Sequence, residues 1–183
     1  SVVTSGTCVA CVAGKYKVAR GDADCLECPI GTFSTVAART RPSDCQDCPA
    51  NSAAPAASDD PADCMADAGY TKTGGAFVAC APGTYKSVST SNVGCADCAA
   101  NHFNTKHASG SQNTDGLGNL STSIFCFACP LNSQSPAKST TPSACMCDRG
   151  YVGNITGSSA GAALGGCDKC AAGKFKDQQG TQS

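Results

Sequence analysis

Twelve of the 16 cysteines in this 183-residue chain fall into six Cys-x-x-Cys pairs: Cys8/Cys11, Cys25/Cys28, Cys45/Cys48, Cys95/Cys98, Cys126/Cys129 and Cys167/Cys170. Two sulfurs at this spacing can hold a metal ion, run thiol–disulfide exchange, or belong to structural disulfides. The 13 residues between Cys11 and Cys25 approach the spacing of a zinc ribbon. Zinc nevertheless fits poorly, because Cys64 and Cys80 stand outside any pair and the six pairs do not sort into four-ligand sets. A redox pair needs a βαβ setting with a helix after its first cysteine, and glycine and proline follow these cysteines instead. Structural disulfides are therefore the expected chemistry.

Composition agrees. Leu, Ile, Val and Phe number only 24 and there is no Trp, so a large apolar core is out of reach. A chain so rich in cysteine and so poor in aliphatic residues is stapled by bridges and belongs in an oxidising, extracellular or cell-surface compartment. Other chemistry is thinly represented. His102 and His107 flank a polar loop and read as solvated residues rather than metal ligands. Asp59 and Asp60 are adjacent, so on an extended chain they point apart and form no acid/base pair. No nucleophile elbow is present, so no enzyme activity and no cofactor are expected. The net charge of -1 is dispersed, which offers nothing to nucleic acid or to an anionic membrane. No apolar run approaches the ~18 residues of a membrane span. Ser1 reads as a processed N-terminus or as the start of a segment cut from a longer chain.

The pairs must be positioned by a repeat. "CVAGKY" at Cys11, "CPIGTF" at Cys28, "CAPGTY" at Cys80 and "CAAGKF" at Cys170 share Cys-x-x-Gly-x-aromatic, and "CAANHF" at Cys98 is a variant with Asn101 for the glycine. Gly or Asn there fits a turn with positive φ, and the aromatic can cover a neighbouring disulfide. A second type is "CPANSAAP" at Cys48 and "CPLNSQSP" at Cys129. A third is "CMADAGY" at Cys64 and "CMCDRGY" at Cys145. Their order defines a first super-repeat over 1–79 with a degenerate last unit, a second over 80–169 with two expanded loops, and a further repeat beginning at 170–183. The expanded loops carry the sequons "NLS" at Asn119 and "NIT" at Asn154, candidate N-glycosylation sites. The expected fold class is small disulfide-rich repeats in an elongated array, with short β-hairpins and mostly irregular backbone. Strands are expected around "GKYKVA", "GTFSTV", "GTYKSV" and "GKFKD".

Alignment of the two copies bears on the pairing. The first copy has Ala66 where the second has Cys147, and Phe77 where the second has Cys167. A bridge lost whole leaves no free thiol, so the paired absence points to Cys147–Cys167, with Phe77 supplying apolar burial in its place. Crossed pairing of Cys145 with Cys167 and of Cys147 with Cys170 would strand both Cys64 and Cys80 in the first copy. Serial pairing strands neither. Extended along the chain, it gives Cys11–Cys25, Cys28–Cys45, Cys48–Cys64, Cys80–Cys95, Cys98–Cys126, Cys129–Cys145 and Cys147–Cys167. Cys8 and Cys170 are left to pair outside the segment. Sequence alone does not fix connectivity, and closure of Cys8 and Cys170 within a complete chain is the alternative. Loops of this size contribute about 3 kcal/mol each on the chain-entropy account.

"CLECPIGTFS" (Cys25 to Ser34), "CAPGTYKS" (Cys80 to Ser87) and "CMCDRGYVG" (Cys145 to Gly153) resemble the cysteine-rich, EGF-like repeats of the ephrin-receptor and tumour necrosis factor receptor type. In an EGF module the last two cysteines bond to each other, which the resemblance carries to Cys147–Cys167. The calcium-binding acidic motif of some EGF modules is missing. Long arrays of such repeats look like ciliate surface antigens and the mastigoneme proteins of algal flagellar hairs. Repeat type alone does not choose a role. Half of the ten aromatics stand at repeat positions and arginines are few, so the expectation is a structural extracellular glycoprotein, a segment of a cell-surface or flagellar-hair filament or coat, rather than a binding site. Its partners would be copies of itself or other extracellular structural proteins, together with glycans. The rival is the ligand-binding or adhesive ectodomain of a receptor.

Overall fold

The computed structural model describes residues 8–89, 91–105, 126–156 and 165–180. Among them are eight two-stranded antiparallel sheets, each a hairpin of strands consecutive in the chain, three short 3-10 turns, and no α-helix. Most strands are two residues long: Lys15–Tyr16 pairs with Leu26–Glu27, Thr32–Phe33 with Gln46–Asp47, and His102–Phe103 with Phe127–Ala128. Between the hairpins the backbone is irregular. The molecule is thus an array of small disulfide-rich repeats. Of the expected strands, "GKFKD" forms none. In the other units the partner strand follows the second half-cystine of the loop, and Cys170 has no such bond.

One local device recurs through the array. Three residues after each of Cys11, Cys28, Cys80, Cys98, Cys129, Cys147 and Cys170 stands a glycine or asparagine with φ between 61° and 86°. The amide of the following residue closes the turn in most units, as Lys15 does on the Val12 carbonyl at 3.2 Å and Thr32 on Pro29 at 3.1 Å. Positive φ at the third position marks a type II turn, which Gly and Asn adopt at least cost. Asn51 and Gly69 occupy the same place after Cys48 and Ala66, with φ of 65° and 82°. The three sequence types are therefore one turn. The second type hides it because asparagine replaces glycine and no aromatic follows.

The turn also links neighbours. Its carbonyl accepts the amide of the next rung's cysteine: Cys28 to Gly14, Cys48 to Gly31, Cys98 to Gly83, Cys129 to Asn101 and Cys170 to Gly150, all at 2.8–2.9 Å. Its own amide donates to a carbonyl six residues after that cysteine: Gly14 to Ser34, Gly31 to Ala54, Gly83 to Asn104, Asn101 to Ser135 and Gly150 to Lys176, again at 2.8–2.9 Å. Both backbone groups of the residue are satisfied by the adjoining rung.

Contacts divide the chain into two compact units. The first comprises Ser1–Asp67, Lys72–Val78 and Ser89–Asn92; the second comprises Ala68–Thr71, Ala79–Val88 and Val93–Ser183. Each has a small core made largely of bridges. In the first, Phe33, Ala54 and Cys64 are buried, with Cys48 and Phe77 packed against them. In the second, Phe103, Cys145, Cys147, Ile155 and Cys167 are buried, flanked by Phe127, Cys129 and Tyr151. Phe33 and Phe103, the repeat aromatics, each sit against the disulfide of the following rung. Phe175, at the same position after Cys170, is 86% exposed.

Candidate functional site

The feature that dominates the molecule is its set of bridges. Seven disulfides join Cys11–Cys25, Cys28–Cys45, Cys48–Cys64, Cys80–Cys95, Cys98–Cys126, Cys129–Cys145 and Cys147–Cys167. Their Cα–Cα distances lie between 5.6 and 5.8 Å, at the ordinary spacing for a disulfide. Sequence separations run from 14 to 20, with 28 across the loop between Cys98 and Cys126. Four of the six Cys-x-x-Cys pairs, Cys25/Cys28, Cys45/Cys48, Cys95/Cys98 and Cys126/Cys129, are each shared by two successive bridges, so the bridges follow one another along the chain. Cys8 is exposed and Cys170 partly buried, and both are unbonded. With the other sulfurs in bridges, no thiolate set remains for zinc. Among the described residues, no group of three or more His, Cys, Asp or Glu is placed to hold a metal.

The missing bridge of the first super-repeat is filled in two ways. Ala66 is fully buried, and Phe77 packs on the cluster of Phe33, Ala54 and Cys64. Phe77 lies on the hairpin of Tyr70–Thr73 and Ala76–Ala79, whose strands are twice the length of the others. Gly74 and Gly75 turn that hairpin with φ of 58° and 88°. Positive φ at both central residues is the primed turn that matches strand twist, and Gly-Gly adopts it without steric cost. A two-residue turn sets Lys72 opposite Phe77, and the Lys72 ammonium lies 5.4 Å from the ring centroid. In the second super-repeat the corresponding strands, Tyr151–Val152 and Asp168–Lys169, have two residues each and are closed by the Cys147–Cys167 bridge.

The approach to three bridges repeats as well. Residues 37–45, 56–64 and 137–145 carry Pro42, Pro61 and Pro142 three residues before the cysteine, each opening a 3-10 turn. Earlier in each segment Ala38, Ala57 and Lys138 hold φ of 60–64°, unusual for residues with a Cβ. Their amides donate to the Cys11, Cys28 and Cys98 carbonyls at 2.8–3.0 Å. These segments reach a rung further: a Cβ on Gly14 would fall 2.2 Å from the Ala57 carbonyl oxygen, and one on Gly83 2.5 Å from that of Lys138. Glycine is required at both places by contact as well as by φ.

Electrostatics are mild. The Asp44 carboxylate accepts the amides of Thr40 and Arg41 at 3.1 and 3.0 Å, and these bonds hold its pKa below the ordinary value. Asp60 and Asp63 cap the equivalent turn, with the Ala62 amide 2.7 Å from Asp60 and the Asp60 amide 3.4 Å from Asp63. Asp59 is exposed. At the corresponding place in the second unit stands Ala144. Lys15 pairs with Glu27 at 3.1 Å across the first hairpin, and Lys138 with Asp97 at 3.2 Å; both pairs are exposed and of small consequence.

The other sequence candidates scatter. His102 is partly buried, its Nδ1 3.1 Å from the Ala100 carbonyl, and His107 lies outside the described residues. Asn119 also lies outside them, whereas Asn154 is exposed. An open cleft of about 290 Å³ is lined by Gln134, Asp148, Arg149 and Gln179. Sequence reasoning missed this cleft: Asp148 and Arg149 are neighbours within "CMCDRGY", but Gln134 and Gln179 belong to other rungs and no shared pattern brings them to that pair.

Residues 1–45 are similar to a family described as tyrosine-protein kinase ephrin type A/B receptor-like. The match spans about a quarter of the chain, covering the first bridge and the second up to Cys45. The resemblance read from Cys80 to Ser87 and from Cys145 to Gly153 falls outside it. No curated protein matches the chain. Bridges, turns and this match together define a cysteine-rich repeat domain of the kind typical of extracellular proteins.

Proposed function

We propose that the chain is a structural extracellular protein, a segment of a cell-surface or flagellar-hair filament or coat, which spaces and protects rather than catalyses. One observation carries the reading. The same turn recurs after nine successive cysteine positions, Ala66 included, and in six of them both backbone groups bond to the adjoining rung. Such order suits a quasi-one-dimensional array in which each unit contacts mainly its neighbours. Its partners would be further copies or other structural proteins of the same surface. An antibody raised against the chain is expected to label a coat or hair on intact cells, released as polymer. Label confined to the plasma membrane, on chains that co-purify with a membrane-spanning polypeptide, overturns this reading.

The receptor ectodomain is the second reading. The ephrin receptor-like match over residues 1–45 favours it, and the cleft of Gln134, Asp148, Arg149 and Gln179 offers polar groups for a ligand.

A further inference from the structure

The sequon at Asn154 sits in a setting that its spelling does not reveal. Asn154 and Thr156 are exposed, while Ile155 between them is only 1% exposed and packs with Phe103, Cys145, Cys147 and Cys167. Alternation along an extended segment thus turns both recognition side chains to solvent and anchors the middle residue in the core. The facing backbone is close enough to exclude side chains. A Cβ on Gly153 would fall 2.0 Å from the Gly166 carbonyl oxygen, and one on Gly165 2.0 Å from that of Asn154. The Cys147–Cys167 bridge pins the two flanks together.

We infer that Asn154 is an N-glycosylation site and that it is modified before the Cys147–Cys167 bridge closes. The donor is a lipid-diphosphate-linked oligosaccharide. Asn154 Nδ2 bonds to the anomeric carbon of the sugar, the bond from that carbon to the phosphate oxygen breaks, and the lipid diphosphate leaves with the electron pair. The amide proton passes to base, and nothing is oxidised or reduced. A transferase must grip the Asn154 and Thr156 side chains from one freed segment. In the closed rung this would pull Ile155 from its core and part the facing strands. Open chain meets neither obstacle, and once closed the outward Asn154 leaves room for the glycan.

The test expresses the full chain behind a secretion signal in a eukaryotic host, in an Asn119→Gln background so that only Asn154 reports. Routing by an added signal separates this site from the structural role: failure here leaves the coat reading standing. Pulse-labelled chains are alkylated and mapped by peptide mass. The glycan is expected on chains whose Cys147 and Cys167 still take alkyl groups, and bridged chains without it should never gain it during the chase. Thr156→Ala should abolish the glycan while leaving all seven bridges in a non-reducing map. Bridged, unmodified chains that later acquire the glycan overturn the order. An unmodified Asn154 in secreted, fully bridged protein overturns the site.

Discussion

The two super-repeats close the same rung by different means. In the second, Cys147 and Cys167 are joined and the strands beside them have two residues each. In the first, the sulfurs are replaced by buried Ala66 and by Phe77, and the strands lengthen to four residues about a Gly-Gly turn. A bridge acts chiefly on the open chain, by removing conformations it could otherwise visit. The hairpin acts on the closed chain, through added backbone pairs and apolar contact of Phe77. Covalent restraint and local packing are thus interchangeable at this position. A residue-by-residue reading of cysteine loss as damage would miss that.

Four changes would break or sharpen this comparison, from the largest expected effect downward. Replacing Cys147 and Cys167 together by Ser should cost about 3 kcal/mol, the closure entropy of a loop whose ends are separated by 20 positions. The loss would register as a lower urea midpoint and faster amide exchange around Tyr151 and Lys169. Phe77→Ala should cost about 2 kcal/mol, roughly half the value for a fully buried Phe because this ring is partly exposed. Exchange should quicken at the neighbours of Cys64 and leave Phe103 and Ile155 unchanged. An equal loss in both cores would refute the local account. Converting Gly74 and Gly75 to Ala should cost on the order of 1 kcal/mol each through positive φ alone, since neither added Cβ would touch anything. Asn-Gly in their place should preserve the hairpin, with the urea midpoint as the measure.

The smallest effect is expected at Asp44. Its folded pKa lies below the ordinary 3.8, so its contribution is present above that value and disappears as pH falls through the lower folded one. Asp44→Asn should therefore lower stability slightly at neutral pH and not at all in strong acid, as read from paired urea curves. The Pro142 turn has Ala144 at this position and should show no such acid dependence, which gives the experiment an internal control.

What could be read from the chain follows residue type. Gly14, Gly31 and Gly83 announce their turns, because a glycine held at one fixed distance from a cysteine and an aromatic signals positive φ. Asn51 and Asn132 do the same work unannounced. Ala38, Ala57 and Lys138 are illegible: nothing in alanine or lysine calls for positive φ, which is imposed by bonding to the Cys11, Cys28 and Cys98 carbonyls of a neighbouring loop. The substitution at Ala66 and Phe77 is visible only because a second copy stands beside it. The hairpin that completes it is not, since "GYTKTGGAFVAC" carries no apolar alternation strong enough to mark four-residue strands. The cleft at Gln134 and Arg149 depends on how loops fall together, which no local pattern encodes.

The recurring turn imposes a direction as well as a shape. At Gly14, Gly31, Gly69, Gly83, Asn101 and Gly150 both backbone groups bond to residues that follow in the chain, and the Asn51 and Asn132 carbonyls likewise accept from the later Asp67 and Asp148 amides. A rung is thus finished by its successor, in the order in which a ribosome delivers it. The same asymmetry bears on descent. A duplicated block needs only to present a cysteine and a carbonyl six residues later to be accepted by the block before it. Unequal crossing-over could therefore lengthen or shorten such a gene by whole rungs without redesigning any joint.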